Sequence, residues 1–333
     1  MRDLFLMVGL LFQTAKLRRK QLWHSSSSKR QLGRRGSLVT ISRQTAINTR
    51  SLIYRKFKLP LDHWRLTDPK GPAEFSRTAR RAADVIGVAL AEPGSPKKTR
   101  DRSVIFYDTN EFDLYRNNFI LRTRTPLRRG RSAHQELVFK FRHPDRHTTV
   151  SVDPRPIAEI PHTIRFKEQV LPALRNQLGI RSIFWHGCKI FERCELENLP
   201  YGTLAKVFPV LRHLGVDPNA CLRAVNGLIV DESLLEIGTL NFVEGLAAKA
   251  LISLWRVGPG QRALTSEFSF QIKFNPVRTN IGQIRSLSES FYLELQSRLA
   301  GWTAAGSTKV HEVYHLGQTV EPTRAQAGSM TPV

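Results

Sequence analysis

FILRTRT, residues 119 to 125, is the stretch on which the reading of this chain turns. As a strand it alternates sides with a period of two, so Ile120, Arg122 and Arg124 share one face and Phe119, Leu121 and Thr123 the other. Two guanidinium groups side by side on one strand repel each other unless open water or an anion faces them. The neighbouring stretches decide which of the two it is.

Two further strand patterns flank it: SVIFYDT at 103–109 and QELVFKFR at 135–142, with LRRGRSAH at 127–134 as a hairpin connection. The second places Lys140 and Arg142 on one face, opposite Leu137, Phe139 and Phe141. Upstream, IYRKFKL at 53–59 puts Lys56 and Lys58 on one face with Tyr54. Downstream, SEFSFQIKF at 266–274 alternates most sharply, with Phe268, Phe270, Ile272 and Phe274 against Glu267, Ser269, Gln271 and Lys273. TKVHEVYH at 308–315 reads as a short last strand.

Other segments read as helices. PAEFSRTARRAADVIGVAL at 72–90 and NIGQIRSLSESFYLELQSRLAGW at 280–302 carry apolar residues at helical spacing. RFKEQVLPALRNQLG at 165–179, TLAKVFPVLRHLG at 203–215 and NACLRAVNGLI at 219–229 predict a helical insertion over about 164–236.

An antiparallel sheet with one wet face explains alternation of this kind. Solvated faces, however, mix Lys with Glu so that cross-strand pairs attract. Lys56, Lys58, Arg122, Arg124, Lys140 and Arg142 form a single-sign set. A closed barrel lined by them would hold an anion, because low-dielectric walls focus the field on a bound phosphate chain.

The whole chain agrees with an anionic partner. It has 333 residues, 51 Lys and Arg against 28 Asp and Glu, and a net charge of +23. Charge of that size attracts nucleic acid, anionic lipid or phosphate-rich small molecules. Residues 1–50 read as a basic, disordered extension and 316–333 as a flexible tail. LFLMVGLLF at 4–12 is shorter than the about 20 residues that span a bilayer. A signal peptide or an amphipathic surface anchor within residues 1–20 are its two readings. Cys188, Cys194 and Cys221 show no C-x-x-C spacing, which argues for a reducing, cytoplasmic setting over a disulfide framework or a zinc site. No helix-turn-helix, zinc-finger or aromatic RNA-binding motif accompanies the basic tail, so a nucleic-acid-associated protein stands only as an alternative.

Tyr107 to Arg124, YDTNEFDLYRNNFILRTR, followed by ELVFKFR at 136–142, resembles the core of the CYTH superfamily, the triphosphate tunnel metalloenzymes. The resemblance implies an α+β fold, an eight-stranded antiparallel barrel forming a tunnel with flanking helices, over residues 51–315. It implies a triphosphate, polyphosphate or nucleotide as ligand, gripped by Arg122, Arg124, Lys140 and Arg142, with Lys56, Lys58 and Lys273 on the same strand faces. It also implies a metal-dependent triphosphatase with Mg2+ or Mn2+, for which Glu267 is the carboxyl-terminal ligand and Glu192 and Glu244 are further candidates.

One departure bears on that chemistry. The family's first strand carries a Glu-x-Glu-x-Lys pattern; aligned on Lys58, its two acids fall on Tyr54 and Lys56. Glu267 is followed two residues later by Ser269 rather than by a second acid. A catalytically inactive, polyanion-binding relative is therefore the alternative to an enzyme. Glu195, Glu232 and Glu236 read as solvated or ion-paired, His143 and His147 as loop residues, and Tyr107, Asp108 and Thr109 as structural.

Overall fold

The computed structural model describes residues 54–93, 100–127, 134–157, 160–174, 177–258, 260–274, 280–304 and 308–316. The extension 1–50, the tail from 317 onward and most of the 127–134 hairpin connection lie outside the described residues.

Nine strands close into one barrel. Around the ring they run β1 (Tyr54–Leu61), β6 (His162–Pro172), β7 (Ile180–Ile190), β5 (Glu136–His143), β4 (Phe119–Pro126), β3 (Arg100–Asp108), β9 (Val230–Asn241), β10 (Ala247–Val257) and β11 (Arg262–Lys273), which pairs with β1 again. The pairing of β3 with β9 closes the ring. Two short strands, β2 (Ala89–Ala91) and β8 (Arg223–Ala224), append to β9 and β3.

The expected barrel and α+β class are present, with one strand more than expected and a consequence for direction. A closed ring of strands can alternate in direction throughout only if their number is even. With nine, one neighbouring pair must run parallel, and it is β1 with β6. The register of that pair sets Arg55 against Glu168, whose carboxylate accepts from the guanidinium at 3.1 Å on the outer wall.

The strands turn their apolar faces outward, toward helices, and their charged faces inward. Phe57, Leu59, Phe268, Phe270 and Ile272 pack beneath α2 (Gly71–Ile86) and α6 (Ile281–Arg298), which follow the single-turn α1 (His63–Thr67) in the outer layer. Phe57 and Phe270 stack at 4.5 Å, and the Tyr292 hydroxyl donates to the Lys58 carbonyl at 2.6 Å. On the opposite wall Phe119, Leu121, Phe139 and Phe141 are covered by Leu204 and Phe208, in and after α5 (Tyr201–Val207). Burying each such side chain stabilises the fold by about 1.5–3 kcal/mol. This is why the alternating strands have no wet outer face: both sides are covered, one by helices and one by the lumen.

Three segments depart from the sequence reading. Residues 165–172 are barrel strand, not helix, and with β7 and β9 they make the supposed insertion at 164–236 part of the barrel wall. The Glu, Gln and Leu content of RFKEQVLP favours a helix locally, but β6 is buried between β1 and β7 and Glu168 is satisfied by Arg55 and Ser182. Residues 219–229 hold no α-helix but the short strand β8 and a single 3-10 turn, Val225–Gly227, with Asn226 at φ 52°. Residues 309–315 form a helix, α7 (Lys309–His315), capped by the Thr308 hydroxyl, which accepts from the His311 N–H. The remaining short helices are α3 (Asp113–Arg116) and α4 (Arg146–Ser151).

Candidate functional site: a cationic lumen

One end of the barrel is apolar. Val104, Phe106, Ile120, Val230 and Trp255 meet Val310, Val313 and Tyr314 of α7 there. The helix is fixed in place by three contacts. The Tyr314 hydroxyl donates to Asp108 Oδ2 at 3.1 Å, the Asn226 side chain donates to the Val313 carbonyl at 2.8 Å, and Tyr314 stacks on Tyr115 at 4.1 Å. Asp108 also accepts the N–H groups of Thr109, Leu114 and Tyr115. Burial pushes its carboxyl up to about 6 in spite of those bonds. Asp108, at the end of β3, is thus the anchor of α7.

The remainder of the lumen is lined by cations. Lys56 and Lys58 enter from β1, Arg122 and Arg124 from β4, and Lys140 and Arg142 from β5. These are the six strand residues anticipated from alternation. Lys273 is not brought in: it lies at the exposed end of β11, opposite Tyr54, with its Nζ 5.9 Å from that ring. Glu267 is in the lumen and 4% exposed. Glu192 follows β7 and does not line the lumen, and Glu244 sits in the turn Val243–Gly245 between β9 and β10.

Other residues complete the lining. Arg165 and Lys167 come from β6, hidden from sequence reasoning by its helical composition. Lys189 comes from β7, where its alternation with Trp185 was the available signal, and Arg102 from β3, which begins earlier than its apolar run. Glu232, read as solvated or ion-paired, alternates with Val230 and Leu234, is 2% exposed inside the lumen and is ion-paired with Arg102 and Lys309. Lys309 enters from α7.

Burial dominates the electrostatics. It lowers Lys56 and Lys167 to about 7 and Lys58 and Lys189 to about 8, with neighbouring cations adding to the effect. Lys140 is held well below its ordinary value by burial and by Arg122, Arg142 and Lys58. Buried Nε atoms of Arg122, Arg124 and Arg142 have no hydrogen-bond partner among the described residues. Lys140 and Lys167 are instead set over the Trp185 ring, at 5.7 and 5.4 Å. Gly187, opposite Lys140 across β5 and β7, makes room for this: a Cβ there would lie 2.7 Å from Lys140 Cβ and 3.0 Å from the Trp185 ring. Gly187→Val is expected to destabilise the protein by about 1–3 kcal/mol through overpacking, measured by urea unfolding.

The lumen does not fit a divalent cation. Magnesium takes oxygen ligands, one or two carboxylates together with phosphate and water. Among the described residues, Glu267, Glu232 and Glu136 stand next to the lumen's cations, and each of their carboxylate oxygens already meets one. Glu267 Oε2 accepts from Lys58 at 3.0 Å and its Oε1 lies 3.5 Å from Lys309. Glu232 Oε2 accepts from Arg102 and its Oε1 lies 3.3 Å from Lys309. Glu136 Oε1 accepts from Arg124 at 3.2 Å and Oε2 from Lys189 at 2.7 Å. Burial alone would raise Glu267, yet Lys309, Lys58 and Lys56 outweigh it and hold the carboxyl at about 2. At the first-strand positions where the family has acids stand Lys56 and Tyr54, whose ring lies 4.7 Å beneath Lys167. No cluster of three or more His, Cys, Asp or Glu capable of holding a metal occurs among the described residues, and no described helix is long and apolar enough to cross a membrane.

No protein-family model matches the chain, and no functionally curated protein is similar to it in sequence. Solved structures are. A proposed adenylyl cyclase of Hippeastrum, described as having a dominant triphosphatase activity, is 16% identical, with 81% of this chain and 98% of that one covered and a TM-score of 0.39. A proposed adenylate cyclase of Bacillus halodurans is 10% identical, over 78% and 96% of the two chains, at a TM-score of 0.32. A protein of Pyrococcus horikoshii is 12% identical, over 73% and 89%, at a TM-score of 0.30.

Proposed function

We propose that this protein binds a linear phosphate chain, a triphosphate or polyphosphate, in the lumen of its barrel. The observation that supports this reading is the excess of cations over carboxylates there, with Lys140 buried and Arg122, Arg142 and Lys56 half-buried. Arg122, Lys140, Arg142 and Lys56 form no ion pair with any carboxylate among the described residues. Burying charge without a partner costs several kcal/mol per ion, and a polyanion is the partner whose shape suits a barrel of this kind. Guanidinium groups match phosphate oxygens in pairs, and lysines supply point charges between them.

Calorimetry with tripolyphosphate tests it. The full-length chain is expected to bind; no heat and no protection against thermal unfolding would end this reading. Phosphate release in the presence of Mg2+ or Mn2+, lost in Glu267→Gln, would replace binding by hydrolysis.

The depressed lysines give the binding a pH dependence of fixed sign. Free protein holds Lys56 and Lys167 neutral above about 7 and Lys58 and Lys189 neutral above about 8, whereas the unfolded chain keeps them charged to about 10.5. Their burial therefore costs stability most below about 7, and that cost fades as pH rises toward 10.5. A bound polyanion favours the charged forms, so binding takes up protons above pH 7 and weakens as pH rises to 9. Calorimetry in buffers of different ionisation enthalpy reads the uptake directly. Proton release on binding would contradict it.

A further inference from the structure

Lys309 begins α7, whereas the other cations of the lumen belong to barrel strands. Its Nζ lies 3.3 Å from Glu232 Oε1 and 3.5 Å from Glu267 Oε1, and it donates to Ser253 Oγ at 2.5 Å. The other oxygen of each carboxylate, Oε2, is turned to a wall cation, Arg102 for Glu232 and Lys58 for Glu267. The ammonium thus fills the gap between the two inward oxygens that a divalent cation would share. Two of its three N–H donors are taken by Glu232 and Ser253, and Glu267 attracts it as an ion pair. It acts on an anion in the lumen by cancelling the carboxylates' charge rather than by touching phosphate. The position is built into the fold: Thr308 caps the helix, and the contact of Tyr314 with Asp108 anchors its far end.

We propose that Lys309 is a tethered replacement for a divalent cation, and that the lumen therefore takes a triphosphate chain in its uncomplexed form, not as a magnesium or manganese chelate. The ligand class rests on the reading of the lumen given above; the replacement of the metal rests on Lys309 alone. A metal ion carried in with the ligand would meet Lys309, Lys58 and Arg102 with no carboxylate oxygen left to it. Unlike a bound metal, the ammonium cannot be removed by a chelator.

The test uses the full-length chain with Mn2+ as one probe and tripolyphosphate as the other. Electron paramagnetic resonance of Mn2+ added without phosphate is expected to show no ion bound to the wild-type protein. Calorimetry is expected to give the same tripolyphosphate affinity with and without EDTA, and a lower apparent affinity when excess Mg2+ withdraws the free ligand. Lys309→Met, which keeps a side chain of similar length and removes the ammonium that lies 4.7 Å from the Trp255 ring, exposes both Oε1 atoms. It should bind tripolyphosphate roughly tenfold more weakly in EDTA, bind Mn2+ by itself, and regain affinity when Mn2+ is added. Lys309→Arg, which keeps the charge, should stay metal-independent.

Mn2+ bound by the wild-type chain and lost in Glu267→Gln overturns the proposal, as does tripolyphosphate binding that requires Mn2+. So does a Lys309→Met protein that binds tripolyphosphate in EDTA as tightly as wild type. The Mn2+ measurement on wild type needs no variant, so it decides the role of Lys309 even where Lys309→Met does not fold. A chain that excludes Mn2+ but binds no tripolyphosphate supports Lys309 as the replacement cation and overturns the reading of the lumen.

Discussion

Lys140→Met will weaken tripolyphosphate binding by roughly 100-fold and, at the same time, raise the melting temperature of the ligand-free protein. The two effects have one origin. Lys140 is 5% exposed, its ammonium has no carboxylate partner among the described residues, and Arg122 and Arg142 flank it on the same wall. In the empty barrel that charge is a liability, and an apolar side chain of similar length should stabilise the fold by about 1–4 kcal/mol. With a phosphate chain present it is a buried, charge-assisted donor, whose loss costs about 2–5 kcal/mol of affinity. Differential scanning fluorimetry and calorimetry on the same preparations read both. A purely structural lysine would show the opposite pairing, with stability lost and affinity unchanged. Arg122→Met, also inward and without a carboxylate partner, should repeat the pattern.

Asp108→Ala will cost about 3–5 kcal/mol of folding stability, measured by urea unfolding. Its carboxylate accepts the N–H groups of Thr109, Leu114 and Tyr115 and the Tyr314 hydroxyl, all within a closed corner of the barrel. Removing it leaves several buried donors without an acceptor, the situation in which the full desolvation cost of each group appears. Tyr314→Phe, which removes one of those bonds and keeps the ring stacked on Tyr115, should cost only about 0.5–1.5 kcal/mol. Comparable losses in the two variants would show that the single bond from the Tyr314 hydroxyl, not the three backbone N–H bonds, carries the contribution of Asp108.

That corner shows how unevenly the chain could be read in advance. Tyr107, Asp108 and Thr109 are recognisable as a strand end and a turn, and they are structural. Their partner Tyr314 lies 206 residues away from Asp108, inside a segment whose alternation read as a strand. Val310, Val313 and Tyr314 do fall at helical spacing, but seven residues hold only two turns, too few for a period to declare itself. The same holds for β6. Its parallel partner β1 lies more than 100 residues upstream, and Lys167 and Glu168 meet Gln271 and Arg55, contacts that exist only once distant strands have come together.

The metal question divides in the same way. The missing acids of the first strand are visible as Tyr54 and Lys56, and the surviving acid as Glu267. Glu232 reads as solvated or ion-paired, because a glutamate is seldom buried unless it is paired. Only the closed barrel brings it opposite Lys309, 77 positions away.

From the sequence alone follow the excess of cations on one face of β1, β4 and β5, the six strand residues that carry it, and the apolar faces opposite them. These are local properties, since alternation along a strand depends on nothing beyond the strand. Which face turns inward, how many strands close the ring and with what parallel pair, and that Lys309 stands between two carboxylates were decided by tertiary structure. Each depends on groups distant in the chain meeting in a space from which water is largely excluded, where an ion's partners determine whether it binds metal, phosphate or another side chain.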